Sequence, residues 1–247
     1  MTLLKRILLT LLLLAVTAYL VLAVTAFSRK PKGNICLDVE LNIKDSVTTG
    51  FITKQEVLNL LGSKKANPIG RVLDSINSQT LEDILASHPL IKRVDCFKSP
   101  SGKVCFDITQ RQPVLRVMSS TGEDYYLDDE GNIMPASSRN TTRLAVVTGN
   151  VNKSFAQNEL YKFGIFLQEN EFWNNEIEQI HVLKGNNIEF VPLVGDHIVY
   201  MGKLDNYERK LERLKKFYTK ALNEVGWNKY SRINIEFSNQ IICTKRD

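Results

Sequence analysis

The sequence predicts an α+β protein with an N-terminal transmembrane helix, a small β-α-α-β-β domain, and a mixed, mostly antiparallel β domain with two helices. Three observations lead to this fold class. Residues 7–27 contain no charged side chain. Many later segments alternate apolar and polar residues as half-buried strands do, and others carry an apolar face with the period of a helix. The 43% of hydrophobic and 24% of charged residues exclude wholesale disorder.

The N-terminal run is long enough to span a bilayer, because about 20 apolar residues cross about 30 Å of hydrocarbon. A cleaved signal peptide is the alternative, with Val24-Thr25-Ala26 as its cleavage site. The run exceeds the apolar region of about 7–15 residues typical of signal peptides, which favours a retained anchor in the lipid bilayer between Ile7 and Phe27. We expect residues 1–6 to be a cytoplasmic tail and residues 28–34 a linker, with the bulk of the chain outside. Basic residues flank the run on both sides, so they do not fix this orientation.

Charge and cysteine content exclude other classes of protein. The formal net charge is +5, and no block of Lys or Arg follows the N-terminal region. The sequence therefore shows no basic stripe that would track nucleic-acid phosphates, and we expect no nucleic-acid partner. Four Cys in a chain of 247 residues exclude a disulfide-dense mini-scaffold.

Residues 35–113 form the first predicted domain. Its elements follow in the order strand, helix, helix, strand, strand, at residues 35–43, 53–62, 78–87, 94–98 and 104–109. Thr53 followed by Glu56 has the pattern of a helix capping box, and Ser78 is the predicted N-cap of the second helix. Residues 99–102 (Ser-Pro-Ser-Gly) predict the turn between the last two strands.

Residues 114–247 form the second predicted domain, in which strands are more frequent. These strands are predicted at residues 115–118, 125–127, 133–134, 143–147, 177–183, 187–191, 197–201, 232–237 and 240–244. Residues 128–132 predict a hairpin turn. Two helices are predicted at residues 155–169 and 206–224, and the second has one apolar stripe that would lie on a sheet.

The residue types that enzymes use form no recognisable constellation. His88, His181 and His197 have no partner at ligand spacing, so packing or surface roles are expected for them. Residues 128–132 (Asp-Asp-Glu-Gly-Asn) begin like a calcium loop, but the Gly comes too early and Arg139 occupies the position that requires a bidentate Glu. Common nucleophile and phosphate-loop motifs are missing from the sequence. We expect no catalytic, metal or cofactor site and no small-molecule substrate.

Cys96 and Cys105 flank the turn at residues 99–102, and two arrangements are open. If Lys98 faces Lys103, the two thiols face each other and could form a disulfide in an oxidising compartment. If the apolar residues of both strands face the core, Cys96 points inward, Cys105 points outward, and no bridge forms.

The order of these segments resembles the bacterial cell-division family FtsQ/DivIB over nearly the whole chain. The motifs that carry the resemblance are the helix start at Thr53, residues 88–94 (His-Pro-Leu-Ile-Lys-Arg-Val), the turn at 99–102, residues 111–113 (Arg-Gln-Pro), the hairpin at 125–131, and residues 146–149, 195–199 and 201–203. Each motif alone matches the family only loosely, so the resemblance depends on their order and spacing along the chain. The resemblance implies that residues 35–113 are a POTRA-like domain and residues 114–247 an FtsQ-type β domain. Gln110 departs from the family, which usually has Glu there.

The resemblance implies a scaffold and not an enzyme. Proteins of this family lie in the cell inner membrane as single-pass proteins, with the N-terminus in the cytoplasm and the bulk in the periplasm. They recruit the small membrane proteins FtsB and FtsL and other divisome components to the division septum, where septal peptidoglycan synthesis is then regulated. The same location and partners are expected here.

The resemblance also implies that the last strands bind the partner by β-strand addition. The residues implied are Phe237, Asn239, Gln240, Ile241, Ile242 and Cys243. The last strand is apolar and lacks Pro, so it would be an aggregation hazard if left bare, which independently indicates a partner. Lys245 and Arg246 offer the alternative that charge protects the edge. The family typically has Asp, Arg and Tyr at the positions of Asn234, Glu236 and Phe237. We therefore expect this chain to share the main-chain pairing with the family, and not the individual side-chain contacts.

Two rival functions belong to other classes. A membrane-anchored periplasmic cell-wall enzyme would need a pocket with a nucleophile, base or metal constellation. An outer-membrane assembly or secretion component that uses POTRA units would carry several such units or a long barrel of strands.

Overall fold

The structure is a computed structural model of the chain, and it describes residues 2–28, 35–44, 52–136 and 143–246. The described strands form one sheet of three strands and one of nine. Except for Ser28, the predicted linker at residues 28–34 lies outside the described residues.

Helices and strands are numbered in chain order. The helices are α1 (Thr2–Ser28), α2 (Lys54–Ser63), α3 (Ser78–Ala86), α4 (residues 153–169), α5 (Glu171–Glu176) and α6 (residues 207–225). The first six strands are β1 (Asp38–Ile43), β2 (Ile91–Lys98), β3 (Lys103–Gln110), β4 (Pro113–Ser119), β5 (Asp124–Asp128) and β6 (Ile133–Pro135). The others are β7 (Val146–Gly149), β8 (Ile177–Val182), β9 (Ile188–Pro192), β10 (Ile198–Gly202), β11 (Tyr230–Asn234) and β12 (Ile242–Lys245).

Helix α1 covers the N-terminal apolar run, and its side chains over residues 11–25 are mostly exposed. Of the helices in the described ranges, none combines the length and the hydropathy that a membrane crossing requires. The helical part of the prediction for residues 7–27 is confirmed, and the membrane-spanning part is not.

The first sheet has the order β1-β3-β2, with β3 parallel to β1 and antiparallel to β2. The predicted order strand, helix, helix, strand, strand is confirmed. So is the capping box of α2, in which the Glu56 amide donates to Thr53 Oγ1 at 3.3 Å and the Thr53 amide donates to Glu56 Oε2 at 2.9 Å. The predicted cap of α3 is wrong: Asn77 and not Ser78 is the N-cap, because the Asn77 side chain accepts a hydrogen bond from the Thr80 amide.

The second sheet has the order β12-β11-β10-β9-β8-β7-β4-β5-β6. Three of its eight strand pairs are parallel (β4–β7, β7–β8 and β10–β11) and the other five are antiparallel. A mixed, mostly antiparallel sheet with helices is therefore the observed fold of this part of the chain.

Helices α4 and α6 cover one face of this sheet, and each contains a π-helical turn, at Ala156–Leu160 and at Tyr218–Leu222. Large buried side chains fill the core between the helices and the sheet, among them Phe163, Trp173 and Tyr218. The sequence did not predict α5, a helix of six residues capped by the side chain of Asn170. Six residues are too few for an apolar period to show.

The far edge of the large sheet packs on the first domain. Tyr126 of β5 and Met134 of β6 belong to the buried core of the three-stranded domain. The Arg111 Nη1 atom, just past β3, donates to Asp128 Oδ2 at 2.6 Å, and Lys92 Nζ donates to Asp129 Oδ2 at 2.8 Å. Apolar burial and ion pairs thus join the two parts at β5 and β6 and leave the β12 side away from this junction.

Candidate partner-binding edge

Strand β12 forms one edge of the nine-stranded sheet. Its only strand neighbour in the described ranges is β11, with which it pairs antiparallel. Ile233 lies opposite Cys243, and Asn234 lies opposite Ile242. The other side of β12 therefore presents main-chain groups that no described strand of this chain pairs with.

The hydrogen bond just past the strand shows which residues direct these groups outward. The Arg246 amide donates to the Lys229 carbonyl at 3.0 Å, so Arg246 faces β11. Successive residues of an antiparallel strand direct their amides and carbonyls to opposite sides. Thr244 consequently also faces β11, whereas the Cys243 amide and carbonyl and the Lys245 amide are directed away from it. The Lys245 carbonyl accepts a hydrogen bond from the Ser231 hydroxyl of β11 at 3.4 Å.

The side chains of β12 alternate between the two faces of the sheet. Ile241, directly before the strand, and Cys243 are half-buried against the core on the α6 side. Burial raises the pKa of the Cys243 thiol. Ile242 points to the opposite face and is 46% exposed. An exposed apolar residue on an unprotected edge strand is a template for pairing with another chain.

Helix α6 fixes the loop that leads to this edge. The Phe217 ring packs on Tyr230 of β11, with ring centroids 6.4 Å apart. The Arg213 guanidinium donates to the Ile235 carbonyl at 2.8 Å and also to the Ser238 carbonyl. Because one planar cation binds two carbonyls of the loop, it sets the path of the chain between β11 and β12.

The far end of β12 is held by a second arginine. Arg246 Nη1 donates to Asp196 Oδ2 at 2.6 Å, and Arg246 Nη2 donates to the Asp196 carbonyl. Asp196 lies in the loop before β10, so this contact ties the chain end to the body of the sheet. This contact is important for holding β12 in place, because the strand itself is only four residues long.

The structure shifts the predicted bounds of the last two strands. The predicted strands at residues 232–237 and 240–244 are Tyr230–Asn234 and Ile242–Lys245. Of the predicted partner-binding residues, two lie on β12 (Ile242 and Cys243), one directly precedes it (Ile241), and three lie in the connecting loop (Phe237, Asn239 and Gln240). The Asn234 side chain accepts from the Glu236 amide at 2.9 Å, and this local bond turns the chain out of β11 earlier than the apolar alternation predicts.

Cys96 and Cys105 do not lie opposite each other. Cys96 pairs with Phe106, and Cys105 pairs with Phe97. Residues offset by one position point to opposite faces of the sheet, and all four cysteines are free. The structure thus has the arrangement without a bridge, and the candidate disulfide is absent from it.

Other residues considered for chemistry make structural contacts. His181 Nδ1 lies 3.0 Å from Thr148 Oγ1, and the buried His197 Nε2 lies 2.8 Å from the Tyr218 hydroxyl. The Asp128 carboxylate accepts hydrogen bonds from amides of its own hairpin turn. In the described ranges, no group of three or more His, Cys, Asp or Glu residues could hold a metal ion.

Sequence reasoning missed the role of Arg213. On the helix pattern it is one of many charges on an exposed face, and the carbonyls that it binds come 22 and 25 residues later. Its position at the rim of the apolar stripe, next to Leu214, is the only local signal. In the alternative in which charge protects the edge, Arg246 would be one of the shielding residues, but its guanidinium is bound to Asp196.

The two sheets define a class of protein in which a small POTRA-like domain is joined to a larger β domain with helices on one face. Residues 34–109 match a family model for the POTRA-like domain. Residues 112–244, more than half of the chain, match a model described as FtsQ/DivIB, C-terminal related. The chain belongs to this family, which confirms the resemblance found in the sequence. A search of curated proteins gives no match.

Family membership defines the function at a coarse level. FtsQ/DivIB and POTRA domains are non-catalytic families. Membership in the FtsQ/DivIB family supports a role as a cell-division scaffold that acts through protein–protein interactions.

Proposed function

We propose that this protein recruits small membrane proteins of the FtsB/FtsL type to the division site by adding a partner strand to β12. Through this recruitment it helps to regulate septal peptidoglycan synthesis. Family membership supports the cell-division role, and the side of β12 with which no described strand pairs supports the mode of binding.

The observation that carries the proposal is the outward direction of the amide and carbonyl of Cys243 and of the amide of Lys245. Main-chain amides and carbonyls are strong hydrogen-bonding groups. A partner strand laid along β12 would pair with them, and such main-chain bonds give affinity with little demand on the partner's sequence.

Selectivity would come from the side chains on the two faces of β12. On the helix side, three apolar residues are half-buried against the core of the second domain: Ile241, Cys243 and Phe217. On the other face Ile242 is exposed, and Phe237 in the adjoining loop is 42% exposed. A partner strand with apolar residues facing both sides would bury this surface, and an aromatic residue is a favoured anchor at interfaces.

The location is part of the same proposal: the cell inner membrane, with a single pass between Ile7 and Phe27, the N-terminus in the cytoplasm, the domains in the periplasm, and concentration at the septum. The uncharged run at residues 7–27 and the family support it. An anchor shared with the partners' bilayer would raise their effective concentration. The protein should then sediment with membranes and resist alkaline extraction. Recovery in the soluble fraction would refute the location without touching the binding mode.

The binding mode is tested by Lys245→Pro. This change removes an outward amide and no amide that faces β11, and Pro is tolerated at such positions of edge strands. We expect the variant to fold and to bind a purified FtsB/FtsL-type pair up to roughly tenfold more weakly, because the one hydrogen bond of this amide, worth about 0.5–1.5 kcal/mol, is lost. Circular dichroism confirms the fold, and fluorescence anisotropy gives the affinity.

A matched pair of charges separates the edge of the sheet from its face. Ile242 and Val191 are 46% and 48% exposed on the same face, but Val191 lies on β9, three strands from the edge. Ile242→Asp should abolish partner capture, and Val191→Asp should preserve it. Capture that survives both Lys245→Pro and Ile242→Asp in folded protein would place the interface elsewhere.

A further inference from the structure

An exposed apolar patch lies at the N-terminal end of the first domain, where residues 35–37 pair with residues 69–72. Ile35 forms an isolated antiparallel bridge with Val72. The Cys36 amide donates to the Arg71 carbonyl, and the Gly70 amide donates to the Cys36 carbonyl, both at 2.8 Å. Four side chains form this N-terminal patch, and they are 47%, 66%, 41% and 42% exposed: Ile35, Leu37, Ile69 and Val72.

The N-terminal patch lies at the end of the three-stranded sheet that is far from the second domain. The Leu37 amide donates to the Gly102 carbonyl at 2.8 Å, and Asp38 lies opposite Lys103 at the start of β3. From there β3 runs over eight residues, roughly 25 Å, to Gln110. Strand β4 begins three residues later, so the second domain joins the first at the other end of this sheet.

Basic side chains border the N-terminal patch. Lys64, Lys65 and Arg71 are exposed, and Arg71 Nη2 donates to the Lys65 carbonyl at 2.6 Å, which brings these residues together. Residues 64–75 contain one acidic residue, Asp74, against these three basic ones. Apolar side chains bordered by Lys and Arg are typical of surfaces that attach to anionic lipid.

The chain leads to this patch directly from the proposed membrane anchor. Only residues 29–34 separate Ser28, the last residue of α1, from Ile35, and three of these six are Arg or Lys. Seven steps of fully extended chain reach about 25 Å at most. Ile35 therefore cannot lie farther than about 25 Å from the end of α1, so a helix that spans the bilayer would keep the N-terminal patch close to the membrane surface.

We propose that the N-terminal patch docks on the surface of the bilayer that anchors the chain. Its four apolar side chains enter the headgroup region, and its basic side chains bind anionic phospholipid. The proposal rests on the membrane location given under the proposed function. Lipid is favoured over a protein partner because the short connection holds the bilayer at a high effective concentration next to this patch.

Docking has a consequence for the second domain. A domain that is attached only through residues 29–34 could adopt many orientations, whereas one that also contacts the bilayer through its N-terminal patch has a fixed orientation. Since the second domain joins the opposite end of the three-stranded sheet, docking would set the height at which it holds the edge of β12 above the membrane.

The test is photocrosslinking of the full chain, reconstituted into vesicles of phosphatidylethanolamine and phosphatidylglycerol. A benzophenone amino acid replaces Leu37 in one variant and Leu193 in the control. Leu193 is also a Leu and is 60% exposed, but it lies in the loop after β9. We expect roughly tenfold more phospholipid attached at position 37, because this position would be held among headgroups. Ile69 gives a second position for the label if the Leu37 variant does not fold.

Equal lipid attachment at positions 37 and 193 would overturn the proposal, and so would a crosslink from position 37 to a second copy of the chain in place of lipid. Alkaline washing of the vesicles separates this inference from the location. A chain that is washed off would overturn both. A chain that stays inserted and shows no excess of lipid at position 37 would overturn the docking alone.

Charge variants test the contribution of anionic lipid. Lys64→Gln with Lys65→Gln removes two charges, and lipid attachment at position 37 should fall by up to roughly fivefold per charge, or about 1 kcal/mol each. Lys184→Gln with Lys220→Gln removes two exposed charges of the second domain and should leave it unchanged. Vesicles of phosphatidylcholine alone should lower attachment in the chain that retains both lysines. Attachment that responds neither to the first pair of changes nor to this lipid would overturn the assignment to anionic phospholipid.

Discussion

Asp128 offers a sharp test of how the two domains are joined. Its side chain is fully buried, and it accepts four hydrogen bonds: from Arg111 Nη1 at 2.6 Å, from the amides of Glu130 and Asn132 at 2.9 and 2.7 Å, and from Asn132 Nδ2 at 3.0 Å. Burial alone would raise the pKa of this carboxyl, but the hydrogen bonds of Arg111 and Asn132 outweigh it and hold the pKa below its ordinary value.

Asp128→Asn keeps the volume of the side chain and removes its charge. Breaking one side of a buried ion pair costs about 3–5 kcal/mol. We expect the lower end, because Arg111 is partly exposed and also lies 3.5 Å from Glu130 Oε2, which can take over its pairing. At about 2–4 °C for each kcal/mol in a chain of this size, the thermal midpoint should fall by about 6 °C or more.

The control is Asp129→Asn, the next residue in the chain. Asp129 binds Lys92 at 2.8 Å, but both side chains are substantially exposed, so we expect a loss of at most about 1 kcal/mol. Because the pKa of Asp128 is lowered in the folded state, its contribution is present at neutral pH and is lost as the pH falls through that lowered pKa. Thermal scans from pH 7 to 3 should show the difference between wild type and Asp128→Asn shrinking at the acid end. Equal losses for the two variants at pH 7 would refute the argument.

Three further predictions concern a helix cap, two glycines and the cysteines. Asn77→Ala should lower the free energy of unfolding, measured with denaturant, by about 1 kcal/mol, whereas Ser78→Ala should be nearly neutral. A larger loss for Ser78→Ala than for Asn77→Ala would show that Ser78 is the N-cap. Gly164→Ala should destabilise the protein by about 1–3 kcal/mol, because its new methyl group would lie 2.5 Å from Leu115 Cγ. Gly62→Ala has open space in a helix and should stabilise the protein by about 0.5–1 kcal/mol. Equal effects of the two changes would exclude the proposed crowding at Gly164. All four cysteines should react with a thiol reagent after unfolding without reductant, and electrophoretic migration should not depend on reductant.

Patterns local in sequence predicted much of the fold. The capping box at Thr53 involves two residues three apart, and the hairpin at 128–132 is set by its own side chains, so both could be predicted from the chain alone. The same holds for the long helix, whose apolar stripe repeats over five turns. Elements that depend on contacts distant in the chain could not be predicted in this way.

The last strands show the limit most clearly. Alternating apolar residues predicted two strands there, but their bounds depend on a bond from Glu236 to the Asn234 side chain and on Arg213 from α6. The pairing of Cys96 with Phe106 likewise depends on register, which sequence spacing left open. Residue types indicated an edge strand, and long-range hydrogen bonds decided where it begins.

The two edges of the large sheet differ in a way that bears on function. At one edge, β6 is three residues long, ends at Pro135 and buries Met134 in the core of the first domain. Short length and Pro are common devices that protect an edge from pairing. At the other edge, β12 has no Pro and exposes Ile242. Arg246, just after the strand, forms an exposed ion pair with Asp196. A partner strand could therefore pair along the free side of β12 without displacing any described strand, and this asymmetry is the physical reason to seek the interface at β12.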